Sequence, residues 1–325
     1  MTAISHITCI GEVLVDFLST KRTVDISRAP GFLKFAGGAS ANVAVGLAKL
    51  GIRSAFVGAV GDDSFGKFLG RQLQHHHVEI SGLKFMKGFR TRLAFISLNR
   101  TGEREFEFWE RHPADCQLKQ SDIHMKKLLQ SDIVHISSFL LLQEPSRSTA
   151  LSIADTLTRK RRVVSFDPNL RLSLWDSHEI ARRLHLEMIE RCSILKMNET
   201  EALFLTRKKT LSAAVKALSL CGPQLIVVTM GKTGCLFWSK FGFSFVKGFH
   251  VQTVDTTGCG DGFLSGLLSG IVQSKKTLER LSLAELYMIC RYANAVGAMT
   301  ASKRGAIDAL PSFTQVRKFL NTHHS

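Results

Sequence analysis

Residues 254–262 read Val-Asp-Thr-Thr-Gly-Cys-Gly-Asp-Gly, and the stretch that follows, Phe263 to Gln273, is almost entirely apolar. The chain therefore passes from an extended segment, through closely spaced glycines that permit a tight turn, into a buried helix predicted over Gly260–Gln273. A helix that opens in this way leaves its first backbone N–H groups without carbonyl partners, and the helix dipole puts partial positive charge at the same end. Such an end binds phosphate groups and other anions. One carboxylate, Asp261, sits inside that first turn. It either complements the helix dipole or stands as a base beside a phosphate cradle, as transfer of a phosphoryl group to an alcohol requires.

Outward from this segment, short apolar runs alternate with amphipathic ones, the pattern of a mainly parallel sheet with helices on both faces. The spacing predicts strands over Ile7–Val15, Ser54–Val60, Ile133–Ser137, Val163–Phe166, Ile194–Met197 and Leu225–Met230. It predicts helices over Ser40–Leu50, with Gly51 as terminator, over Ser146–Arg159, Ser212–Leu220 and Ala284–Ala301, and from an Asp63 cap to about His75. Residues 17–35 and 83–111 break the rhythm with alternating runs such as Leu93-Ala94-Phe95-Ile96-Ser97-Leu98. They predict a small sheet outside the main one, placed where a lid excludes water during reaction. The expectation is a single domain over residues 1–325: a three-layer α/β/α sandwich with a mainly parallel central sheet and a small β-sheet lid.

Composition limits the alternatives. In 325 residues, 45% are hydrophobic and 22% charged, which excludes a disordered, collagen-like or coiled-coil chain. No stretch reaches the roughly 18 uncharged apolar residues of a membrane span. Lys and Arg number 43 against 27 Asp and Glu, a net charge of +16 that favours anionic ligands or simply reflects a basic solvated face. The seven cysteines are odd in number, scattered and without a CxxC pair, the pattern of free thiols in a reducing compartment. With no targeting pattern at the N-terminus, the cytoplasm is the expected location. Two near-matches to a phosphate-binding P-loop fail: Phe68 stands where Gly61–Phe68 needs Ser or Thr, and Ile226 occupies the leading glycine position before Gly231-Lys232-Thr233. The run His75-His76-His77 points its side chains in different directions, as expected of a solvated helix end rather than a metal site.

The segment Asp255-Thr256-Thr257-Gly258-Cys259-Gly260-Asp261 resembles one signature of the ribokinase-like (PfkB) carbohydrate kinases, and Gly37-Gly38-Ala39-Ser40-Ala41-Asn42-Val43-Ala44 resembles the other. The likeness extends through Asp167-Pro168-Asn169-Leu170-Arg171, Asn198-Glu199-Thr200-Glu201, Val228-Thr229-Met230-Gly231 and Ala293-Asn294-Ala295. Gly102-Glu103-Arg104-Glu105-Phe106, Arg111, Pro113-Ala114-Asp115 and Arg304-Gly305-Ala306-Ile307 resemble the fructokinases within that family.

The resemblance implies an ATP- and Mg²⁺-dependent sugar kinase, with fructose giving fructose 6-phosphate. Another sugar, an acidic ketosugar or a nucleoside is the same-fold alternative, and an inactive scaffold protein the alternative of a different class. The intact Gly-x-Gly-Asp motif and the lack of a basic tail speak against a nucleic-acid scaffold. Asp261 is implied as general base, with the N–H groups of Gly258, Cys259 and Gly260 as oxyanion donors. Asp16, Gly37, Gly38, Asn42, Asn169 and Arg171 are implied at the sugar, with Arg104 and Arg111 closing from the lid or forming ordinary salt bridges. Asn198, Thr229, Gly231 and Asn294 are implied at the nucleotide. Glu201 is implied at Mg²⁺ through water, though Asn198-x-x-Glu201 is also close to a helix capping box. The loop at Asp255 is implied as a site for a monovalent cation such as K⁺, and the lid as a homodimer contact. Position 259, commonly Ala in this signature, is Cys: a small residue that fits, or a helix-terminal thiol of lowered pKa.

Overall fold

The computed structural model describes residues 6–21, 24–98, 104–109 and 111–323. Its strands are β1 (His6–Ile10), β2 (Leu14–Ser19), β3 (Phe32–Gly37), β4 (Arg53–Gly61), β5 (Glu79–Met86), β6 (Leu93–Leu98), β7 (Arg104–Trp109), β8 (Ile133–Ser137), β9 (Val163–Asp167), β10 (Ile194–Asn198), β11 (Leu225–Thr229), β12 (Gly234–Ser239) and β13 (Gly242–Lys247). The α-helices are α1 (Ala39–Lys49), α2 (Ser64–His75), α3 (Met125–Leu128), α4 (Ser146–Arg159), α5 (His178–Ile189), α6 (Glu199–Thr206), α7 (Leu211–Ser219), α8 (Cys259–Gln273), α9 (Leu283–Ala301) and α10 (Phe313–Thr322).

Among the described residues nine strands form the large sheet in the order β13-β12-β11-β10-β9-β8-β1-β4-β5, parallel except where the β12–β13 hairpin extends it antiparallel to β11. Strand alternation sorts the core into two layers. In β11, Leu225 and Val227 pack into one hydrophobic cluster with Val43 and Leu47 of α1, Leu264 and Leu267 of α8 and Ile289 of α9. Ile226 and Val228, pointing the other way, join Ile153 of α4, Met188 of α5, Leu205 of α6 and Leu218 of α7. The period-2 pattern of buried strands thus produces the predicted three layers. No helix among the described residues is long and apolar enough to cross a membrane.

The second sheet has the order β3-β2-β6-β7, with β2 and β6 parallel and the outer pairs antiparallel. Its inner face carries Leu14, Leu18, Ala94 and Ile96, which pack with Phe139 from the end of β8. A buried ion pair, Arg92 Nε to Asp115 Oδ2 at 2.9 Å with side chains 4% and 3% exposed, joins the start of β6 to the chain returning from β7.

Three sequence expectations change. The run Ile7–Val15 is two strands in two different sheets. Beyond Ile10 the chain leaves the large sheet, Gly11 donating to Val57 O at 3.0 Å, and Val15 re-pairs with Arg92 O at 3.1 Å. Both pieces are buried, so an apolar run does not show where the transfer occurs. The small sheet accordingly begins at Leu14 rather than at residue 17. Residues 83–86, expected in the lid, belong to β5 at the edge of the large sheet, paired with β4 from Gly58 to Gly61.

Candidate active site

The parallel strands end at one rim, where β8 and β9 align Ser137 with Asp167 and β10 and β11 align Asn198 with Thr229. This C-terminal edge is where open α/β sheets bind ligands. Helices α1 and α8 start at the same rim, and the inner face of the small sheet stands across from it. Between them lies a cleft of about 340 Å³.

Its centre is a contact between residues 219 positions apart. Asn42, in the first turn of α1, donates from Nδ2 to Asp261 Oδ2 at 2.8 Å. The Asn42 Oδ1 atom, buried, has no hydrogen-bond partner among the described residues, and an acceptor left in that state costs about 1–3 kcal/mol until a donor arrives. Burial raises the Asp261 carboxyl to about 6, with the Asn42 bond and the charges of Lys196 and Arg171 pulling it back down and Asp167 pushing it up. That is a pKa at which a carboxylate accepts a proton near neutral pH.

Local geometry around Asp261 follows from the glycines and from Asp255. Gly258 adopts φ 74°, and a Cβ there would stand 2.9 Å from the Ala306 Cβ, so both conformation and space demand glycine. Asp255 Oδ1 accepts the N–H and hydroxyl of Thr257 at 3.0 and 2.8 Å, while its Oδ2 accepts the Gly305 N–H at 3.0 Å. The carboxylate therefore folds the glycine loop and ties it to the loop before residue 306. The Cys259 N–H is bonded to Thr256 O at 3.3 Å and its thiol faces Asp255 O at 3.8 Å. Gly258, Gly260 and Asp261 line the cleft; Cys259 does not.

On the opposite wall, Asp16 of β2 is 8% exposed. A Cβ on Gly37 would collide with its carboxylate, which only glycine there lets approach the main chain. Gly38 lines the cleft and caps α1, whose Ala39 N–H donates to Glu12 Oε1 at 2.5 Å. The other Glu12 oxygen accepts the Ser137 hydroxyl at 2.5 Å, and burial lifts the Glu12 carboxyl to about 7. Asn169 and Arg171 also line the cleft, Arg171 lying 5.6 Å over the Phe106 ring.

Thr229, Gly231, Asn198 and Glu201 complete the far end. The capping box is real: Asn198 Oδ1 accepts the Glu201 N–H and Glu201 Oε2 accepts the Asn198 N–H, both at 2.8 Å. Glu201 Oε1 takes the Leu170 N–H at 2.7 Å. Burial pushes its carboxyl up, Asp167 adding to the rise and Lys196 opposing it.

Several expected residues are not brought to the cleft. Arg111 is exposed, its carbonyl accepting Gln143 Nε2 at 2.7 Å. Asn294 is buried and donates to Val246 O and Lys247 O at 3.1 and 3.2 Å, pinning β13 to α9. Gly37 and Asp255 support the site from behind. The side chain of Arg104 lies outside the described residues, as do Gly102 and Glu103. Conversely, Glu12, Lys196 and the aromatic wall of Phe106, Phe108 and Phe139 line the cleft without having been singled out from sequence. A charged residue inside an otherwise apolar strand, as in Ile194-Leu195-Lys196-Met197, was the available signal for Lys196.

Residues 5–312 match the model of the pfkB family carbohydrate kinases. The chain belongs to that family. Among the relatives of this pfkB kinase is probable fructokinase-3 of Arabidopsis thaliana, 40% identical over 316 residues, 97% of this chain and 91% of the relative. A fructokinase double mutant from Vibrio cholerae O395, solved in fructose-, ADP- and potassium-bound form, superposes with a TM-score of 0.89 at 31% identity, covering 98% of each chain. Aminoimidazole riboside kinase from Salmonella enterica, complexed with aminoimidazole riboside and an ATP analogue, superposes with a TM-score of 0.80 at 28% identity, covering 97% of this chain and 99% of that one.

Proposed function

We propose that this pfkB kinase is an ATP-dependent fructokinase, converting D-fructose to fructose 6-phosphate. The observation that carries the reading is the Asn42–Asp261 contact beside the opening turn of α8, in a cleft whose other wall offers Asp16. The names of the plant and Vibrio relatives support fructose as the acceptor.

Asp16 and the free Oδ1 of Asn42 hold sugar hydroxyls. Asp261 takes the proton of the C6 hydroxyl as that oxygen bonds to the γ-phosphorus of ATP. The bond from that phosphorus to the β–γ bridging oxygen breaks, its electron pair leaving with ADP, and the proton on Asp261 passes to solvent. The N–H groups of Gly258 and Gly260 meet charge developing on the transferred oxygens, donors worth about 3 kcal/mol each where such groups have been removed. Asn198, Thr229 and Gly231 line the path of the triphosphate. The small sheet acts as lid, keeping water from competing with the sugar, and a second copy packs on its edge strands, which expose Leu33 on the inner face and Trp109 on the outer.

Among the described residues no cluster of three or more His, Cys, Asp or Glu side chains could grip a metal ion directly. The donor set instead fits Mg²⁺, which keeps several waters and binds through one or two carboxylates and the phosphates. Glu201 would hold it through water, and it would neutralise phosphate charge. The loop folded by Asp255 is where a monovalent cation would sit. Five of the seven cysteines are buried as small apolar side chains, which suits a reducing cytoplasm.

The test is ADP formation with ATP against a panel of fructose, ribose, an acidic ketosugar and a nucleoside. A preference for fructose by kcat/KM is the expected result. Preference for another acceptor replaces the substrate, and absence of turnover with all of them removes the kinase reading.

A further inference from the structure

Lys196 lies in β10 among Ile194, Leu195 and Met197, and is only 5% exposed. Taking an ammonium group out of water costs several kcal/mol, and Met or Leu would fill a strand position at no such cost. The ammonium has one hydrogen-bond acceptor among the described residues, Asp167 Oδ2 at 2.7 Å. Two of its three N–H donors remain for something else.

What it faces is the head of α8. The Nζ atom lies 3.0 Å from where a Cβ on Gly260 would stand, so a side chain at 260 would press against the ammonium. Lys196 lines the same cavity as Gly258, Gly260 and Asp261. The charged groups acting on it are Asp167, Glu201 and Asp261, which outweigh the effect of burial and hold it protonated. Two of those carboxylates are already committed: Asp261 to Asn42, and Glu201 to main-chain N–H groups on both oxygens.

We propose that Lys196 is a catalytic residue whose ammonium binds the phosphoryl group in transfer, with Asp167 as the positioning residue that holds it beside the α8 amides. A point charge at this place completes the cradle: backbone donors from Gly258 and Gly260 on one side, a cation from the sheet on the other. Charge on the phosphoryl oxygens is what a kinase must stabilise, and a preorganised cation in a water-poor cleft does so without reorganising during the reaction. The assignment rests on the kinase reading above and extends it to a residue outside both sequence signatures.

The experiment compares the unaltered chain with Lys196→Met and with Lys196→Met combined with Asp167→Asn, which removes the carboxylate left unpaired. Absence of fructose-dependent ADP formation by the unaltered chain overturns the kinase reading and this assignment together. Given that activity, both variants are expected to lose about 10²- to 10³-fold in kcat, with KM for fructose and ATP moving less than about threefold. ADP alone should bind as before, while affinity for ADP with aluminium fluoride and fructose, a mimic of the phosphoryl group in flight, should fall by a comparable factor. A folded double variant with near-normal kcat, or equal weakening of ADP and of the mimic, overturns the assignment. Should neither variant fold, a crystal structure of the unaltered chain with ADP, aluminium fluoride and fructose decides: Nζ within about 3.2 Å of a fluoride supports the role, and a longer separation overturns it.

Discussion

If Asp261 is the base, its proton affinity should be adjustable from Asn42 without touching the carboxylate. The perturbation is Asn42→Leu, which removes the amide yet keeps bulk in the cleft, so that water does not enter in its place. Burial sets the Asp261 carboxyl at about 6 against the opposing pull of the 2.8 Å bond from Asn42. A hydrogen bond to a charged group contributes about 1.5–3 kcal/mol, and one pKa unit corresponds to about 1.4 kcal/mol. Losing the bond should therefore raise the carboxyl by about one to two units. The sign is fixed by chemistry: the base works only when deprotonated, so activity rises with pH through its pKa, and a higher pKa moves that rise to higher pH.

The assay is kcat/KM for fructose, at saturating ATP and Mg²⁺, from pH 5 to pH 9. This parameter reports groups of the enzyme before the sugar binds. The unaltered enzyme should lose activity below about pH 6, about tenfold per unit, and Asn42→Leu should show the same limb displaced upward by one to two units. The ionisation of ATP is common to both enzymes and cancels in the difference. Asn42 also faces the sugar, so the height of the profile falls in the variant, but position and height are independent readouts. An acidic limb that stays in place while the height falls would refute the link between Asn42 and the base.

Four other outcomes follow from the same geometry. Asp261→Asn should keep the fold and bind ADP normally while kcat drops by about 10²-fold or more, with the acidic limb gone from the residual rate. Gly258→Ala should lower both stability and kcat, because it places a side chain at φ 74° and against Ala306; an unaffected urea midpoint and turnover would contradict the close approach. Arg92→Met should cost about 3–5 kcal/mol in urea unfolding, since it strands the buried Asp115 carboxylate. Arg111→Ala should leave kcat/KM for fructose within about twofold, as a solvated side chain away from the cleft carries little; a large loss would mean that the arginine closes over bound sugar.

How far the sequence could be read depended on what each residue answers to. Helix ends answer to local chemistry, and there the reading was close: Asp63 accepts the Gly66 N–H as cap of α2, and α4 spans Ser146–Arg159 as spaced. Central parallel strands answer to burial on both faces, so β8 was legible to the residue. What pattern cannot register is a change of sheet, because Ile10 and Leu14 are equally buried on either side of the crossing. The β12–β13 hairpin escaped for a related reason. Phe243 and Phe245 are large and exposed on an edge strand, a departure from the burial rule on which strand reading relies. At the site, the signatures located Asp261, the glycine loop and Asn42 but left their meeting across 219 residues to the fold. Glu12 and Lys196 were missed because the reading averaged over the apolar runs that contain them. A charge inside such a run should count for more than its neighbours, since the energy needed to bury it there is tolerated only where something nearby depends on the charge. In this chain both exceptions open onto the cleft.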